Sequence, residues 1–232
     1  MRRQVPFPRT DGPPDPTRPA VRWGPAPEGD ERAATHAALV ASAAELTGSP
    51  AHLIRVAHDP GGRPRLTGPA AGVQVSLSHA AGVFAVALSH GPAALGVDIE
   101  IVRPLPATAL ARRWLGDTAA DWIAGLPRHE RDEAFLALWT RKEAIGKARG
   151  HGLRRGGLTR PVAVPTDWPS TRPSGSRLPF PPDADYGSGS DTVTTVVTPA
   201  GGTRAVLSVA VSGRPAAPLV ADPGDWRAAA FQ

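Results

Sequence analysis

The 232 residues include no cysteine, which excludes disulfide staples, thiolate metal centres and thiol nucleophiles and is compatible with a reducing cytosol. Aromatic residues make up only 5% of the chain. No Lys/Arg run is interleaved with aromatics, so the stacking platform of a single-strand nucleic-acid binder is missing. The longest apolar run, Ala80 to Leu88, is far short of the roughly 20 residues that span a bilayer. The opening "MRRQVPFPRTDGPP" starts basic but has no apolar stretch behind it, as a secretory signal would. Neither a G-x-x-x-x-G-K-S/T loop nor a G-x-S-x-G elbow occurs, so P-loop nucleotide chemistry and Ser-His-Asp hydrolysis lack their sequence basis. These absences leave a soluble cytoplasmic protein with no membrane contact as the expectation.

What the chain does contain is proline (27) and glycine (25), concentrated in a few stretches, with 41% hydrophobic and 20% charged residues. That balance permits a globular core. The formal net charge of +5 is carried almost entirely by arginine. Such a surface suits a polyanionic small molecule or an acidic protein partner. Nucleic-acid binding would rest on charge alone, and is not expected.

Along the chain, residues 1–28 hold eight prolines and read as an irregular N-terminal segment. "DERAATHAALVASAAELTG" has helical Ala/Leu spacing, an acidic first turn and a terminating Gly48. A short strand in "HLIRVAH" runs into a turn at Pro60, Gly61 and Gly62. Three strands follow in "GVQVSLSH", "GVFAVALS" and "ALGVDIEIV". Residues 107–150 read as helical with a break at "GLPRHE". Residues 165–191 read as a long surface loop. "DTVTTVVTPAGGTRAVLSVAVSG" reads as a hairpin turning at Pro199 to Thr203, and 214–232 as a Pro/Ala-rich tail. The class is α+β, with a first lobe over 29–103 and a second over 104–213.

Three short stretches carry chemistry. In "GVDIE", Asp98 and Glu100 lie two apart, so on a strand both carboxylates leave one face while Val97, Ile99 and Ile101 leave the other. The pair is either the wet face of a half-exposed strand or part of a hard-metal site that needs oxygen ligands. In "WTRKEAIGK", Trp139, Glu143 and Lys147 follow i, i+4, i+8 and line one helical stripe. Glu143 and Lys147 can form a surface ion pair worth about 0.2–0.5 kcal/mol. Alternatively, Glu143 completes the acidic site begun by Asp98 and Glu100, with Lys147 placed to neutralise a phosphate. In "VSLSHAAG", Ser78 and His79 end a strand, either as an ordinary satisfied pair or as ligand contacts.

In this order the pieces resemble the surfactin-type 4′-phosphopantetheinyl transferases. That family carries a glycine-basic-proline turn, here Gly62-Arg63-Pro64, and a Ser-His at a strand end, here Ser78-His79. It also carries a Gly-Val-Asp-x-Glu strand, here Gly96 to Glu100, and a Trp-x-x-Lys-Glu-x-x-x-Lys helix, here Trp139 to Lys147. The likeness covers roughly residues 30–160. It implies a pseudo-symmetric α+β monomer whose two lobes each pack a helix on a small antiparallel sheet.

The activity it implies is Mg²⁺-dependent transfer of the 4′-phosphopantetheine arm of coenzyme A to a serine of an apo acyl or peptidyl carrier protein, releasing adenosine 3′,5′-bisphosphate. Carriers of this kind belong to polyketide synthases, nonribosomal peptide synthetases or fatty acid synthases. The alternative is a catalytically weak homologue that only binds coenzyme A or a carrier. By the same resemblance Asp98, Glu100 and Glu143 would hold Mg²⁺, and Glu143 would take the serine proton. Lys147 would neutralise the α-phosphate, Lys142, Ser78 and His79 would contact phosphates, and Arg63 would lie near the adenosine.

The likeness departs in two places. Family members carry an N-terminal strand and a basic patch for the nucleotide 3′-phosphate, where this chain is proline-rich and offers Arg22 and Arg32. The loose segment 165–191 also interrupts the second lobe.

Overall fold

The structure, a computed structural model, describes residues 19–27, 29–90, 93–150, 162–165, 168, 178, 180, 192–200 and 203–212. Strand β1 spans Ala20–Pro25, which corrects the expectation of irregular chain throughout 1–28. Its one proline, Pro25, ends an edge strand, where a missing N–H costs no ladder bond. Trp23, in its proline-free middle, is 2% exposed and donates its Nε1–H to Thr198 Oγ1 at 3.3 Å. The burial of that ring is what holds the edge strand in place.

Helix α1, Glu31–Thr47, stops at Gly48, which adopts φ +64° and donates its N–H to the carbonyl of Ala44. A glycine takes that left-handed conformation without steric cost. The helix buries Ala38, Leu39 and Ala43 against Val75, Phe84 and Val86. Strands β2 (Arg55–His58) and β3 (Pro64–Thr67) form a hairpin. The turn at Pro60 to Gly62 thus leads back as a strand, with Gly62 at φ +82°. Strands β4 (Gln74–Ala80), β5 (Val83–Ser89) and β6 (Ala94–Ile101) follow. Helices α2 (Ala107–Trp114), α3 (Asp117–Gly125) and α4 (Arg131–Ala148) come next, then β7 (Thr192–Ala200) and β8 (Thr203–Ser212).

The two main sheets have the orders β1-β5-β4 and β6-β8-β7, all antiparallel. Strand, helix, strand, strand, with the last strand in the middle, describes β1-α1-β4-β5 and β6-α4-β7-β8 alike. The β2–β3 hairpin is inserted in the first unit and α2–α3 in the second. The expected α+β class, a helix on a small antiparallel sheet in each half, is what the chain adopts.

The lobe boundary at 103 needs correction, because β6 pairs with β8, with Asp98 opposite Ser208. Both edges of β5 are taken by β1 and β4, and β6 takes its ladder in the second sheet. Most of segment 165–191, the residues 1–18 and the tail 214–232 lie outside the described residues. Within that segment Leu178 is 2% exposed and donates its N–H to the carbonyl of Thr195.

Helix α4 is buried on nearly every side, including Thr140, Arg141 and Lys142. Thr140 Oγ1 lies 2.8 Å from Ser208 Oγ, which lies 2.9 Å from Thr195 Oγ1. This hydroxyl chain ties the helix to β8 and β7, and satisfied buried groups of this kind fix one rotation of a helix on a sheet. The closest contact is at Gly96, where a Cβ would stand 1.8 Å from the carbonyl oxygen of Ala144 and 2.6 Å from the nitrogen of Ala148. Backbone cannot yield as a side-chain tip can, so Gly96→Ala should destabilise the protein by at least the ~1–3 kcal/mol typical of overpacking. Urea unfolding is the check, and a midpoint equal to wild type would contradict the contact.

Candidate active site

Because side chains alternate along β6, Gly96, Asp98 and Glu100 share one face. Val97 and Ile99 leave the other and join a core with Trp23, Val83 and Ala85. The close approach at Gly96 draws α4 onto the first face. Trp139, Glu143 and Lys147, one stripe of α4, therefore border the same cavity of about 520 Å³ as Asp98 and Glu100. Strand β4 completes this wall with Ser78 and His79. Ser76, one alternation earlier, accepts the backbone N–H of Val97 at 3.0 Å and so stitches β4 to β6.

Asp98 is the hub. It is 6% exposed, and its Oδ1 accepts from Ser78 Oγ and from Lys147 Nζ, each at 2.7 Å. Lys147 Nζ also donates to the carbonyl of Val97 at 2.9 Å. Asp98 Oδ2 is buried without a hydrogen-bond partner. Burial raises the pKa of Glu143 to about 7, and the Asp98 and Glu100 charges push the same way against Lys147 and Lys142. Glu100 is also raised, by burial and then by Asp98, with Arg103 and Lys147 opposing. One lysine thus stands beside these acids, two of which, Glu143 and Glu100, resist full ionisation.

A second part of the lining is basic. Arg32 and His36, one turn apart on α1, join His58 of β2. The two imidazole centroids are 5.9 Å apart. Burial lowers the pKa of His36, helped by Arg32, His58 and His79. The cavity therefore offers anion-binding groups beside an acidic cluster, a combination that suits a phosphate ligand carried with a cation.

Four expected residues behave differently from a bare cavity contact. Lys142 is 1% exposed and donates its Nζ to the carbonyl of Trp114 at 2.6 Å. It precedes Glu143 by one residue, about 100° around the helix, so it faces α2 and not the cavity. Arg63 does not line the cavity, although Gly62 and Pro64 do. Its guanidinium lies against Gly150, just past the C-terminal end of α4, where a cation meets exposed carbonyl dipoles. Ser78 borders the cavity but gives its hydroxyl to Asp98. Arg22 pairs with Glu45 at 3.0 Å, so of the two arginines offered for a phosphate only Arg32 reaches the site.

Sequence reasoning passed over Ser76, Ser208, His36 and His58. Only the i, i+4 spacing of Arg32 and His36 carried a readable signal.

Whether these carboxylates suit a divalent cation can be judged from the donors. Three acids with hard oxygen atoms, one of them unpartnered in a buried position, fit Mg²⁺ chemistry. In the arrangement described, Lys147 stands where a cation would neutralise Asp98. No three His, Asp or Glu groups among the described residues form a ready-made cluster.

Part of the chain is similar to known proteins. Residues 94–200, from the first residue of β6 to the last of β7, match the family model of the 4′-phosphopantetheinyl transferase superfamily. The chain is 29% identical over 115 residues to the 4′-phosphopantetheinyl transferase HetI of Nostoc sp., a match covering 48% of each protein. It is 36% identical over 69 residues to a proposed 4′-phosphopantetheinyl transferase, slr0495, of Synechocystis sp., covering 29% of this chain and 28% of that protein. The chain therefore aligns with about half or less of these relatives' length. Together the matches support the superfamily.

The raised pKa of Glu143 has a measurable consequence in metal-free protein. Between about pH 4.5 and 7 the folded state holds a proton that the unfolded state has released, so stability falls as pH rises through that window. Glu143→Gln removes this loss. Denaturant melts should show the variant gaining on wild type from pH 4.5 to 7 and holding a constant lead above it. A stability difference independent of pH would contradict the burial of a titrating Glu143.

Proposed function

We propose that this chain transfers the 4′-phosphopantetheine arm of coenzyme A to a serine of an acyl or peptidyl carrier protein, in the manner of the surfactin-type enzymes. One observation carries the reading: two acids of a strand and a Glu–Lys pair of a helix border one cavity that also holds Arg32, His36 and His58. A diphosphate with a third phosphate some way off matches that distribution of charge. Asp98, Glu100 and Glu143 would hold the ion. Mg²⁺ supplies, when bound, neutralisation of the diphosphate and of the charge that builds up as the phosphoryl group transfers.

The remaining work falls to the protein. The serine oxygen forms a bond to the phosphorus that bears the pantetheine arm, and the bond from that phosphorus to the bridging oxygen breaks. Adenosine 3′,5′-bisphosphate departs with the bond's electron pair. Glu143, whose carboxyl borders the cavity, accepts the serine proton. Lys147, with three donor protons on a flexible stem, neutralises the leaving phosphate. His79 and Arg32 hold the ligand's remaining phosphates. Lys142 has a structural part here, holding α2 to α4 through Trp114. The net charge of +5 favours encounter with an acidic carrier surface.

Incubation with coenzyme A, Mg²⁺ and an apo carrier domain should add the mass of one phosphopantetheine arm to the carrier serine, and excess EDTA should stop it. Asp98→Ala or Glu143→Ala should lower the rate at least ~100-fold, the scale on which loss of one preorganised charge-stabilising group acts. No mass increase with any of a panel of carrier types, or wild-type rates in both variants, would refute the assignment.

A further inference from the structure

The chain has only two lysines, and they occupy different worlds. Lys142 is sealed against Trp114. The side chain of Lys147 is 27% exposed and leans across the cavity wall onto Asp98. Two of its three ammonium protons are used, on the Val97 carbonyl and on Asp98 Oδ1, which leaves one donor for a ligand. Asp98 is the most deeply buried of these acids, and among the described residues the only opposite charge it contacts directly is this ammonium. An ammonium and a divalent ion cannot both sit against one carboxylate without strong mutual repulsion at such short range.

We propose that Lys147 is the site's built-in counter-ion: it keeps Asp98 from a divalent cation until a diphosphate ligand draws its ammonium away. This rests on the phosphopantetheinyl-transfer reading of the same cavity. It adds an order of events, in which cation and diphosphate bind together because each supplies what the other's arrival requires. The diphosphate gives Lys147 a new anion, and the freed Asp98 then turns to the cation. A free cation meets a carboxylate whose Oδ1 already carries an ammonium, and binds Oδ2 weakly against that charge. The two sites are coupled through one side chain, and such coupling is reciprocal.

The test uses the full chain and Mn²⁺, titrated by electron paramagnetic resonance with and without coenzyme A. Lys147→Met removes the charge and keeps the stem, and should bind Mn²⁺ alone at least about fivefold more tightly than wild type. Lys147→Arg keeps the charge and should not. Coenzyme A should tighten Mn²⁺ in wild type by more than in Lys147→Met.

Because Lys147→Met leaves Asp98 unpaired and can unfold the protein, a second measurement uses wild type labelled with ¹⁵N-lysine, whose two side-chain nitrogens are distinguishable. Mg²⁺ with coenzyme A should move the Lys147 signal and leave that of Lys142 in place, whereas Mg²⁺ alone at the same concentration should move neither. A Lys147 signal shifted fully by Mg²⁺ alone, or a folded Lys147→Met protein no tighter for Mn²⁺, would overturn the proposal. If transfer still required the metal, the proposed function would stand without it. Absence of any Mn²⁺ binding, with coenzyme A present, would remove both.

Discussion

At Gly96 a strand and a helix come so close that the carbonyl of Ala144 occupies the space of a missing side chain. Every feature of the site depends on this approach. It fixes α4 against the acid-bearing face of β6, so that Glu143 and Lys147 meet Asp98 and Glu100 and not water. A methyl group at position 96 would push the helix outward, and the Lys147–Asp98 contact is a single ion pair with no slack to follow. The hydroxyl chain Thr140–Ser208–Thr195 then settles the rotation of α4, and rotation decides which of two adjacent residues, Lys142 or Glu143, faces the cavity.

The electrostatics of the cavity run against stability. Three carboxyl groups are crowded and mostly withdrawn from water, and burial, followed by the Asp98 charge, raises two of them toward neutrality. Such sites persist when the surrounding structure is strong enough to hold them. Here that strength comes from apolar packing on the Val97–Ile99 face of β6 and from the first unit, which lends β4 to close the wall. Ser76 and Ser78, alternate residues of one strand, divide the labour. Ser76 joins the two units through the backbone of Val97, and Ser78 orients Asp98. A charged ligand and its cation would relieve the repulsion among these acids, which is how such a constellation becomes a binding site.

Much of this was legible in the residues. Period-two alternation placed Asp98 and Glu100 opposite Val97 and Ile99, and the i, i+4, i+8 spacing placed Trp139, Glu143 and Lys147 on one stripe. Local periodicity determines which face a side chain leaves, so these placements follow from short stretches of chain. What could not be read there depends on contacts distant in sequence. β6 pairs with β8, a partner more than a hundred residues away. Lys142 and Arg63 carry the charge a phosphate needs, yet tertiary packing turns one toward Trp114 and the other toward the end of α4. β1 was hidden because a proline-rich composition masks the five-residue interval between Pro19 and Pro25 that a buried tryptophan anchors.

The central claim is that a strand and a helix bring three acids to one divalent cation beside a phosphate ligand. Crystals grown with Mn²⁺ and coenzyme A, measured at the manganese absorption edge, address it most directly. The account predicts one anomalous peak in the cavity, in contact with the carboxylates of Asp98, Glu100 and Glu143 and with the diphosphate. Manganese bound elsewhere, or coenzyme A ordered outside this cavity, would contradict it.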